Sequence, residues 1–576
     1  MTRGTDPGNA TGGGFPHGTR GLVGLPVASG RTTVGCMADI RLVRPHPGDV
    51  AVAAAAAVAL SWYLAVTPQV PDLAAQVARA EVVRRVGQTV WWLGWFGGMH
   101  LPSYSATSPM LMAVLGVTGT GAVATVVSVT AMHRLLRGSV RPRLGTAAFL
   151  VTSVANLVDG RITFALAMAT GLWCLAVVDG PASMPRAATA GALAFATCLT
   201  SPLGGLFLAL AAATLLLVRR PDRLARAAHG SVRLSLVLLV LLVLTAAGTV
   251  LLFPDVGEMP FRAGNFLPAA GCALAVAALC PNPRVRVGAL AYLVLELGFL
   301  AHPSAVGVNI TRVAWLFTLP VVVAYARVPV RTLVAAATAA LLLPAVDLVG
   351  QLRAATDASA SAAFYPPLLR ALAADAASRP GSLGQRVEVL DPRNHWASAY
   401  LPARFPLARG WERQADRADN PLFYSGQRLD PAAYRRWLDS LAVGWVAVPA
   451  GPLDYASVPE ARLVASHPAY LTRVWASRSW SLYRVVDARP LASPATVVQL
   501  DDRAITLEVG AATRVDVAVR WSRYLIVTDR RGTRSGCVGS RAGWTYLTVP
   551  APGRYVLTAD FDGSFRHGQQ GCPAGG

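Results

Sequence analysis

The sequence predicts a polytopic α-helical membrane bundle of about eleven transmembrane helices, followed by an extracytoplasmic small α/β unit and a C-terminal β-sandwich. Composition is the first observation: 53% of the 576 residues are hydrophobic and 14% are charged, against about 25% charged in soluble domains. Apolar residues occur in blocks of near-spanning length, and short strand-like runs fill the C-terminal part. These patterns place the N-terminal half in lipid and the C-terminal part in water.

The apolar blocks extend over 50–68, 109–132, 145–158, 162–178, 187–200, 204–218, 234–253, 266–280, 287–301, 313–326 and 332–350. A straight span needs about 20 residues, and several blocks are shorter. Each of the pairs within 145–178 and 187–218 is therefore either two short spans or one broken hairpin. Both alternatives return the chain to the same side, so the parity of the topology is unaffected.

Arginine counts in the loops set the orientation. With the N-terminus inside, the inner loops hold fourteen Arg: Arg134, Arg137, Arg141, Arg143, Arg186, Arg219, Arg220, Arg223, Arg226, Arg233, Arg284, Arg286, Arg327 and Arg331. The outer loops then hold six: Arg79, Arg84, Arg85, Arg161, Arg262 and Arg312. The positive-inside rule therefore predicts an N-in, C-out protein of the cell membrane.

Composition along the chain divides it into four parts. Residues 1–46 are rich in Gly, Thr, Pro and Arg and are expected to be a disordered cytoplasmic segment, in which Met37 offers a second start. Residues 47–352 form the transmembrane domain, with a large first external loop at 69–108. An α/β unit over 353–487 and a β-sandwich-like domain over 488–576 follow outside.

Charge and cysteine usage exclude several classes of protein. All 52 basic residues are Arg, which with the Ala and Gly bias suggests a GC-rich actinobacterial source. The net charge of +21 is spread over loops, and no basic run carries interleaved aromatics, so no nucleic-acid partner is expected. No zinc spacing is present. Cys537 and Cys572 lie outside the apolar blocks on the oxidising side, and we expect them to form a disulfide.

The first external loop holds the residues of greatest interest. Apolar residues recur there at helical spacing, at Leu73, Val77, Ala80, Val83 and Val86. They are expected to form an amphipathic helix on the membrane surface. Asp72 lies at its N-terminal end, where it can be a helix N-cap, an active-site carboxylate or both. The loop continues WWLGWFGGMHLPSYS. Its Trp and Tyr residues fit an interfacial aromatic belt. Its glycines indicate irregular backbone that must be buried in protein or line a cavity.

The stretch from Asp72 through this loop, together with Asn309-Ile-Thr-Arg-Val before an apolar block, resembles an actinobacterial branch of the GT-C superfamily. The resemblance extends over residues 50–350. It implies a membrane glycosyltransferase that uses polyprenyl-phosphate sugars and modifies a cell-envelope glycan or glycolipid. GT-C enzymes often carry two neighbouring acidic residues in this loop. Here Glu81 lies more than two helical turns from Asp72, which leaves a divalent metal without a clear ligand motif.

Such a transfer needs a carboxylate that takes the proton from the hydroxyl group of the acceptor molecule. It also needs cations that hold the departing phosphate. We expect Asp72 to be the catalytic base. The expected substrate-binding residues are His100, Tyr104, Asp159, Arg161, His302 and Arg312. Asp255, Glu258 and Arg262 are further candidates on the same side, and no metal ligand is expected. For Asp159 and Arg161 a simple ion pair at a hairpin tip is the alternative.

Two rival functions stay open on the sequence alone. Glu296 falls in the middle of an apolar block, where a carboxylate must face the bundle, and this suits a transporter or flippase of envelope precursors. A non-catalytic envelope-assembly protein is the other rival. In the C-terminal part, residues 391–396, 410–413 and 420–424 are dense in aromatics and polar groups. These segments suit either a carbohydrate site or a small core with Trp at its edges.

Overall fold

The computed structural model describes residues 46–179, 183–218, 225–254, 257–561 and 572. The predicted disordered segment up to residue 45, the alternative start Met37, the candidate Asp255 and the loop arginines Arg219, Arg220 and Arg223 lie outside these residues. The helices and sheets described below belong to one compact unit, which begins at Pro47.

Thirteen helices precede the C-terminal part in the described residues. They are α1 (Pro47–Val66), α2 (Pro71–Val86), α3 (Ser108–Leu115), α4 (Val117–Leu135), α5 (Pro142–Val158), α6 (Ile162–Val178), α7 (Met184–Thr200), α8 (Pro202–Leu217), α9 (Ala225–Leu252), α10 (Ala263–Leu279), α11 (Pro283–Ala301), α12 (Arg312–Tyr325) and α13 (Val330–Ala355). Each predicted apolar block falls on one of them, except 109–132. That block is divided by Gly116 into α3 and α4, which meet at 109°.

Length and composition identify membrane-spanning helices among the described residues. Three segments are long and apolar enough to cross a membrane: Pro47–Val66, Gly307–Tyr325 and Val330–Ala355. The bent pair α3–α4 makes a fourth if it is one span, and α6, α8, α10 and the Leu236–Leu252 part of α9 are shorter apolar helices. Large apolar side chains such as Val114, Leu267 and Val346 are exposed on these helices, as lipid contact requires. The chain is a helical membrane protein with sheets at its C-terminus.

Local sequence explains where these helices begin. Proline occupies the first turn of α5, α7, α8 and α11, where its missing N–H is not needed and its fixed φ suits the helix. Ser201 accepts a hydrogen bond from the Gly204 amide, and Asn282 accepts one from the Arg284 amide. These side chains satisfy amides that have no partner within the helix.

The remaining helices are short, and all lie after α13. They are α14 (Pro366–Ala377), α15 (Ala397–Tyr400), α16 (Arg413–Asp419), α17 (Pro431–Ser440) and α18 (Val458–Ala465). The strands are β1 (Trp91–Trp92), β2 (Met99–His100), β3 (Arg386–Val389), β4 (Val443–Pro449), β5 (Leu471–Ala476), β6 (Trp480–Val485), β7 (Ala492–Ser493), β8 (Ala495–Leu500), β9 (Ala504–Val509), β10 (Thr513–Arg520), β11 (Leu525–Asp529), β12 (Cys537–Arg541), β13 (Trp544–Val549) and β14 (Gly553–Ala559).

The α/β part is built on a four-stranded sheet in the order β3-β4-β6-β5. Strands β3 and β4 are parallel, and β6 pairs antiparallel with β4 and β5. Every residue of β3 is buried, as expected for a strand covered on both faces. Helix α17 begins at Pro431 with Asp430 accepting from the Ala433 amide, and its Tyr434 and Leu438 enter the core beside β4.

Two further four-stranded sheets follow, in the orders β12-β13-β10-β7 and β11-β14-β9-β8. Alternate residues of β9 and β10, such as Leu507 and Val517, share one buried core between the sheets, which is the arrangement of a β-sandwich. A disulfide joins Cys537 of β12 to Cys572, with Cα atoms 5.1 Å apart. It ties the end of the chain to the first of these sheets.

Candidate functional site

Four charged residues named from the sequence lie together at the end of the bundle that meets the C-terminal sheets. Arg161 Nη1 is 2.8 Å from Asp159 Oδ2, and Arg161 Nε is 3.8 Å from Asp72 Oδ2. Arg312 Nη2 is also 3.8 Å from Asp72 Oδ2. A fifth residue, Asp347 of α13, accepts a hydrogen bond from Arg161 Nη2 at 3.1 Å. We call these five residues the Asp72 cluster.

Gly160 allows the cluster to form. It lies in the turn between α5 and α6 with a φ of +76°, and a Cβ at this position would be 2.6 Å from the Leu73 amide nitrogen. Glycine adopts positive φ without strain. Without a side chain, the turn that carries Asp159 and Arg161 can touch the backbone at the start of α2. This contact brings Asp72 within reach of Arg161.

Asp72 is not the N-cap of its helix. The cap position is Val70, which makes no side-chain cap hydrogen bond, and Asp72 lies in the first turn of α2. A carboxylate in the first turn is stabilised by the helix dipole. The side chain is 32% exposed. The capping alternative from the sequence is therefore wrong, and the Asp72 carboxylate is open to an approaching molecule.

Arg312 is nearly buried and weakly paired. Its side chain is 14% exposed, and Asp72 at 3.8 Å is its ion-pair partner. Within the described residues its guanidinium makes no hydrogen bond, although it lies over the Phe164 ring at 5.6 Å. A buried guanidinium is costly without acceptors for its N–H groups. Arg312 is thus well suited to hold an anion.

Asp159 has the most strongly perturbed carboxyl group in this cluster. Burial raises its pKa to about 6, and the charges of Asp347 and Asp72 act in the same direction, while Arg161 and Arg312 oppose them. The carboxyl group is therefore still largely ionised at neutral pH. Its contact with Arg161 is the ion pair that the sequence offered as the simple alternative. The structure extends that pair to Asp72, Arg312 and Asp347.

Helix α2 is covered on its polar side and does not lie exposed on a membrane surface, which corrects the sequence interpretation. Gln76 and Arg79 are 2% and 1% exposed. Arg79 forms a salt bridge with Glu412, which precedes α16. Gln76 accepts a hydrogen bond from Thr163 of α6 at 2.6 Å. Helix α2 is therefore held between the bundle and the C-terminal part.

The tryptophans of the first loop are buried in protein, so the aromatic-belt interpretation is wrong for them. Trp91, Trp92 and Trp95 are at most 2% exposed. Trp95 Nε1 donates to the Ser398 carbonyl at 3.1 Å, and Trp92 Nε1 donates to Asp502 at 2.8 Å. The C-terminal part thus accepts the indole N–H groups of Trp92 and Trp95. The irregular backbone inferred from the glycines is buried beneath it.

The other candidate residues lie in different surroundings. His100 is buried, and its Nε2 is 2.8 Å from Ser522 Oγ of the β-sandwich. Tyr104 lies under Arg79, with the guanidinium carbon 4.4 Å from the ring centre. His302 and Glu258 are exposed.

Arg262 precedes α10 and is also exposed. Glu81 pairs with Arg84 and Arg85. In the part of the chain that the structure describes, no group of three or more His, Cys, Asp or Glu could hold a metal ion.

Asp347 was missed by sequence reasoning. It falls at the end of the last apolar block, where it reads as a residue that merely closes a span. Its side chain is 56% exposed. The signal available in the sequence was its place in an otherwise apolar helix, since a charge there needs a partner.

A second ionic group lies inside the α/β part. Arg409 donates two hydrogen bonds to Asp416, at 3.0 and 2.7 Å, and its Nη1 is 3.5 Å from Glu388 and 3.6 Å from Glu460. We call these four residues the Arg409 cluster. Glu388 and Glu460 are completely buried. Burial raises the pKa of Glu388 well above its usual range, the neighbouring Glu460 adds to this shift, and burial raises the pKa of Glu460 to about 7.

Aromatic side chains surround this second group in the segments that the sequence left as a carbohydrate site or a core. His395 stacks on Trp411 with ring centres 3.3 Å apart, and Arg413 makes two hydrogen bonds to Asp454 at 2.9 and 2.7 Å. Trp396 is 2% exposed and donates to the Gln69 carbonyl. The polar groups are satisfied internally, so these segments form a core.

At the end of the bundle, then, a membrane protein holds a partly open carboxylate between two nearly buried guanidinium groups. Groups in this arrangement are chemically suited to an anion and to the uptake of a proton. No protein-family model matches the chain, and no curated protein matches it.

Among solved structures, the chain is similar to the mycobacterial arabinofuranosyltransferase AftD by cryo-EM. Identity is 13% and the TM-score 0.44, over 88% of this chain and 57% of that one. Two classes of an AftD mutant give 12% and 16% identity, with TM-scores of 0.41 and 0.40 over 89% and 88% of this chain. The chain spans 60% and 41% of those two.

Proposed function

We propose that this chain is a multi-pass membrane glycosyltransferase of the GT-C type that transfers a sugar from a polyprenyl-phosphate donor to a cell-envelope glycan or glycolipid. In this proposal it has about eleven spans, N-in, C-out, with both C-terminal domains outside. The observation that carries the proposal is Arg312. It is a nearly buried guanidinium that makes no hydrogen bond within the described residues, beside the open carboxylate of Asp72.

The chemistry follows from the positions of these groups. Asp72 accepts the proton of the acceptor hydroxyl, whose oxygen forms a new bond to the anomeric carbon of the donor sugar. The bond between that carbon and the phosphate oxygen breaks, and the phosphate leaves with the electron pair. Arg312 and Arg161 hold the developing phosphate charge through their N–H groups. Asp159 and Asp347 keep Arg161 oriented toward Asp72.

We expect Asp72→Asn to reduce sugar transfer by about 10²–10⁴-fold, the usual contribution of a general base. Folding should not change, because Asp72 makes no hydrogen bond that caps its helix. The measurement is transfer of labelled sugar from polyprenyl-phosphate donors into membrane glycans. Glu81→Gln is the matched control, since Glu81 is on the same helix but pairs only with Arg84 and Arg85 among the residues described.

If Asp72→Asn transfers sugar at the wild-type rate, the base lies elsewhere, with Asp159, Asp255 and Glu258 next to be tested. If the wild type transfers from none of the donors, a transporter or flippase is the second candidate. The observation that favours it is Glu296, which is 0% exposed within the bundle one turn after Tyr292. Flux of lipid-linked precursors in vesicles, lost in Glu296→Gln, would identify that function. Absence of both activities would favour the assembly protein.

A further inference from the structure

Two ion pairs connect α2 to the C-terminal part, and they differ in what they touch. Arg79 pairs with Glu412, with side-chain exposures of 1% and 10%. Arg85 donates two hydrogen bonds to Asp502, at 2.9 and 3.1 Å, and is 25% exposed. Both pairs dock the same helix against the domains that follow the bundle.

Arg79 also lies between two aromatic rings of the first loop. Its guanidinium carbon is 4.4 Å from the centre of the Tyr104 ring and 5.3 Å from the centre of the Trp95 ring. A planar guanidinium stacks on aromatic faces in a way that an ammonium group does not. Arg79 lies on α2 about two turns after Asp72. It therefore connects Glu412 of the C-terminal part to the helix that carries Asp72.

The surroundings of Arg79 are rigid. A Cβ on Gly410 would be 2.3 Å from the Trp95 ring, so the backbone just before Glu412 rests directly on that ring. The Leu407 amide donates to the Gly94 carbonyl at 2.9 Å. A buried charge held this way cannot move without breaking several contacts, since packed interiors do not deform continuously.

We infer that Arg79 is a positioning residue for the proposed transfer: with Glu412 as its counter-ion, it fixes α2, and with it Asp72, so that Asp72 and Arg312 face one bound phosphate. The inference rests on the proposed function. It makes the C-terminal part a structural component of the reaction site. Arg85 and Asp502 dock the same surfaces and have no such role.

The test compares Arg79→Met and Arg79→Lys with the matched control Arg85→Met, in full-length protein in lipid nanodiscs. Binding of decaprenyl phosphate is measured by native mass spectrometry, and kcat and KM for the donor are measured separately. A misplacement of about 1 Å at a reacting group can cost about 10²-fold in rate. We expect Arg79→Met to lower kcat by that order and to weaken phosphate binding. Arg85→Met should leave both close to wild type.

Arg79→Lys keeps a charge for Glu412 but cannot stack as a planar fork on Tyr104. It should recover the thermal stability of the wild type while kcat stays low, a separation that simple docking would not give. It also keeps the test open if Arg79→Met fails to fold. Equal effects of the Arg79 and Arg85 variants, or full activity in Arg79→Lys, would overturn the inference. A wild type that binds no decaprenyl phosphate would instead overturn the proposed function.

Discussion

The Asp72 cluster and the Arg409 cluster are built from the same residue types but differ in how closely they are paired. Arg409 and Asp416 form two hydrogen bonds inside a core with no exposed carboxylate. In the Asp72 cluster both contacts to Asp72 are 3.8 Å long, and its carboxylate is 32% exposed. Close pairing inside a buried core holds a fold together, whereas loose pairing at a partly open end leaves N–H groups for a ligand.

The largest expected effect on stability belongs to the tight cluster. Burial raises the pKa of Asp416, but Arg409, together with hydrogen bonds from Tyr424 and Asn420, outweighs burial and holds that pKa below its usual range. Arg409→Met removes this cation and leaves the Asp416 carboxyl group buried without its ion-pair partner. Removing one partner of a buried ion pair costs about 3–5 kcal/mol. Thermal unfolding in detergent should show this loss. Arg312→Met, in the loose cluster, loses a 3.8 Å ion-pair contact with Asp72 and should shift the melting temperature much less while abolishing transfer.

Equal melting temperatures for Arg409→Met and Arg312→Met would remove the distinction between the two clusters.

Most residues of the Asp72 cluster could be chosen from the sequence. Asp72, Asp159, Arg161 and Arg312 could be chosen because each charge follows or precedes an apolar block on one predicted side of the membrane. The helices themselves follow from apolar blocks bounded by Pro, Ser and Asn. The helical membrane class and four of the five members of the Asp72 cluster are therefore available from local pattern, whereas Asp347 was missed.

Contacts between distant segments could not be predicted this way. Arg79 meets Glu412 across 333 residues, and Trp92 meets Asp502 across 410. Nothing local to the first loop distinguishes tryptophans under a protein domain from tryptophans at a lipid interface, since both need one polar partner for the indole N–H. This is why α2 was expected on a membrane surface and the tryptophans were expected in a belt.

A smaller effect is expected at Gly160, where the turn between α5 and α6 touches the start of α2. Gly160→Ala must accept a positive φ and place a Cβ 2.6 Å from the Leu73 amide nitrogen. The matched control is Gly87→Ala, with a φ of +75° and nothing within 4 Å of its Cβ. Backbone strain of this kind costs about 1–3 kcal/mol. Both variants should lose stability, but only Gly160→Ala should also lose transfer activity, because it pushes Asp72 away from Arg161.

The two Gly variants are compared by melting temperature and by labelled-sugar transfer in the same membranes. Transfer lowered equally in both would mean that general backbone strain, and not the position of Asp72, controls the rate.

The smallest expected effect is a gain in donor binding, and it concerns Asp347. Asp347 is 56% exposed and accepts a hydrogen bond from Arg161 at 3.1 Å, so it occupies an N–H group that a donor phosphate would use. Exposed ion pairs contribute about 0–1 kcal/mol, so Asp347→Asn should leave stability nearly unchanged. It also removes a negative charge beside the proposed phosphate position, and we expect donor KM to fall a few-fold.

Asp357→Asn is the matched control, because Asp357 pairs with Arg393, outside the Asp72 cluster. An unchanged or higher KM in Asp347→Asn would mean that Asp347 supports Arg161 in the bound state as well, and that the phosphate does not replace it.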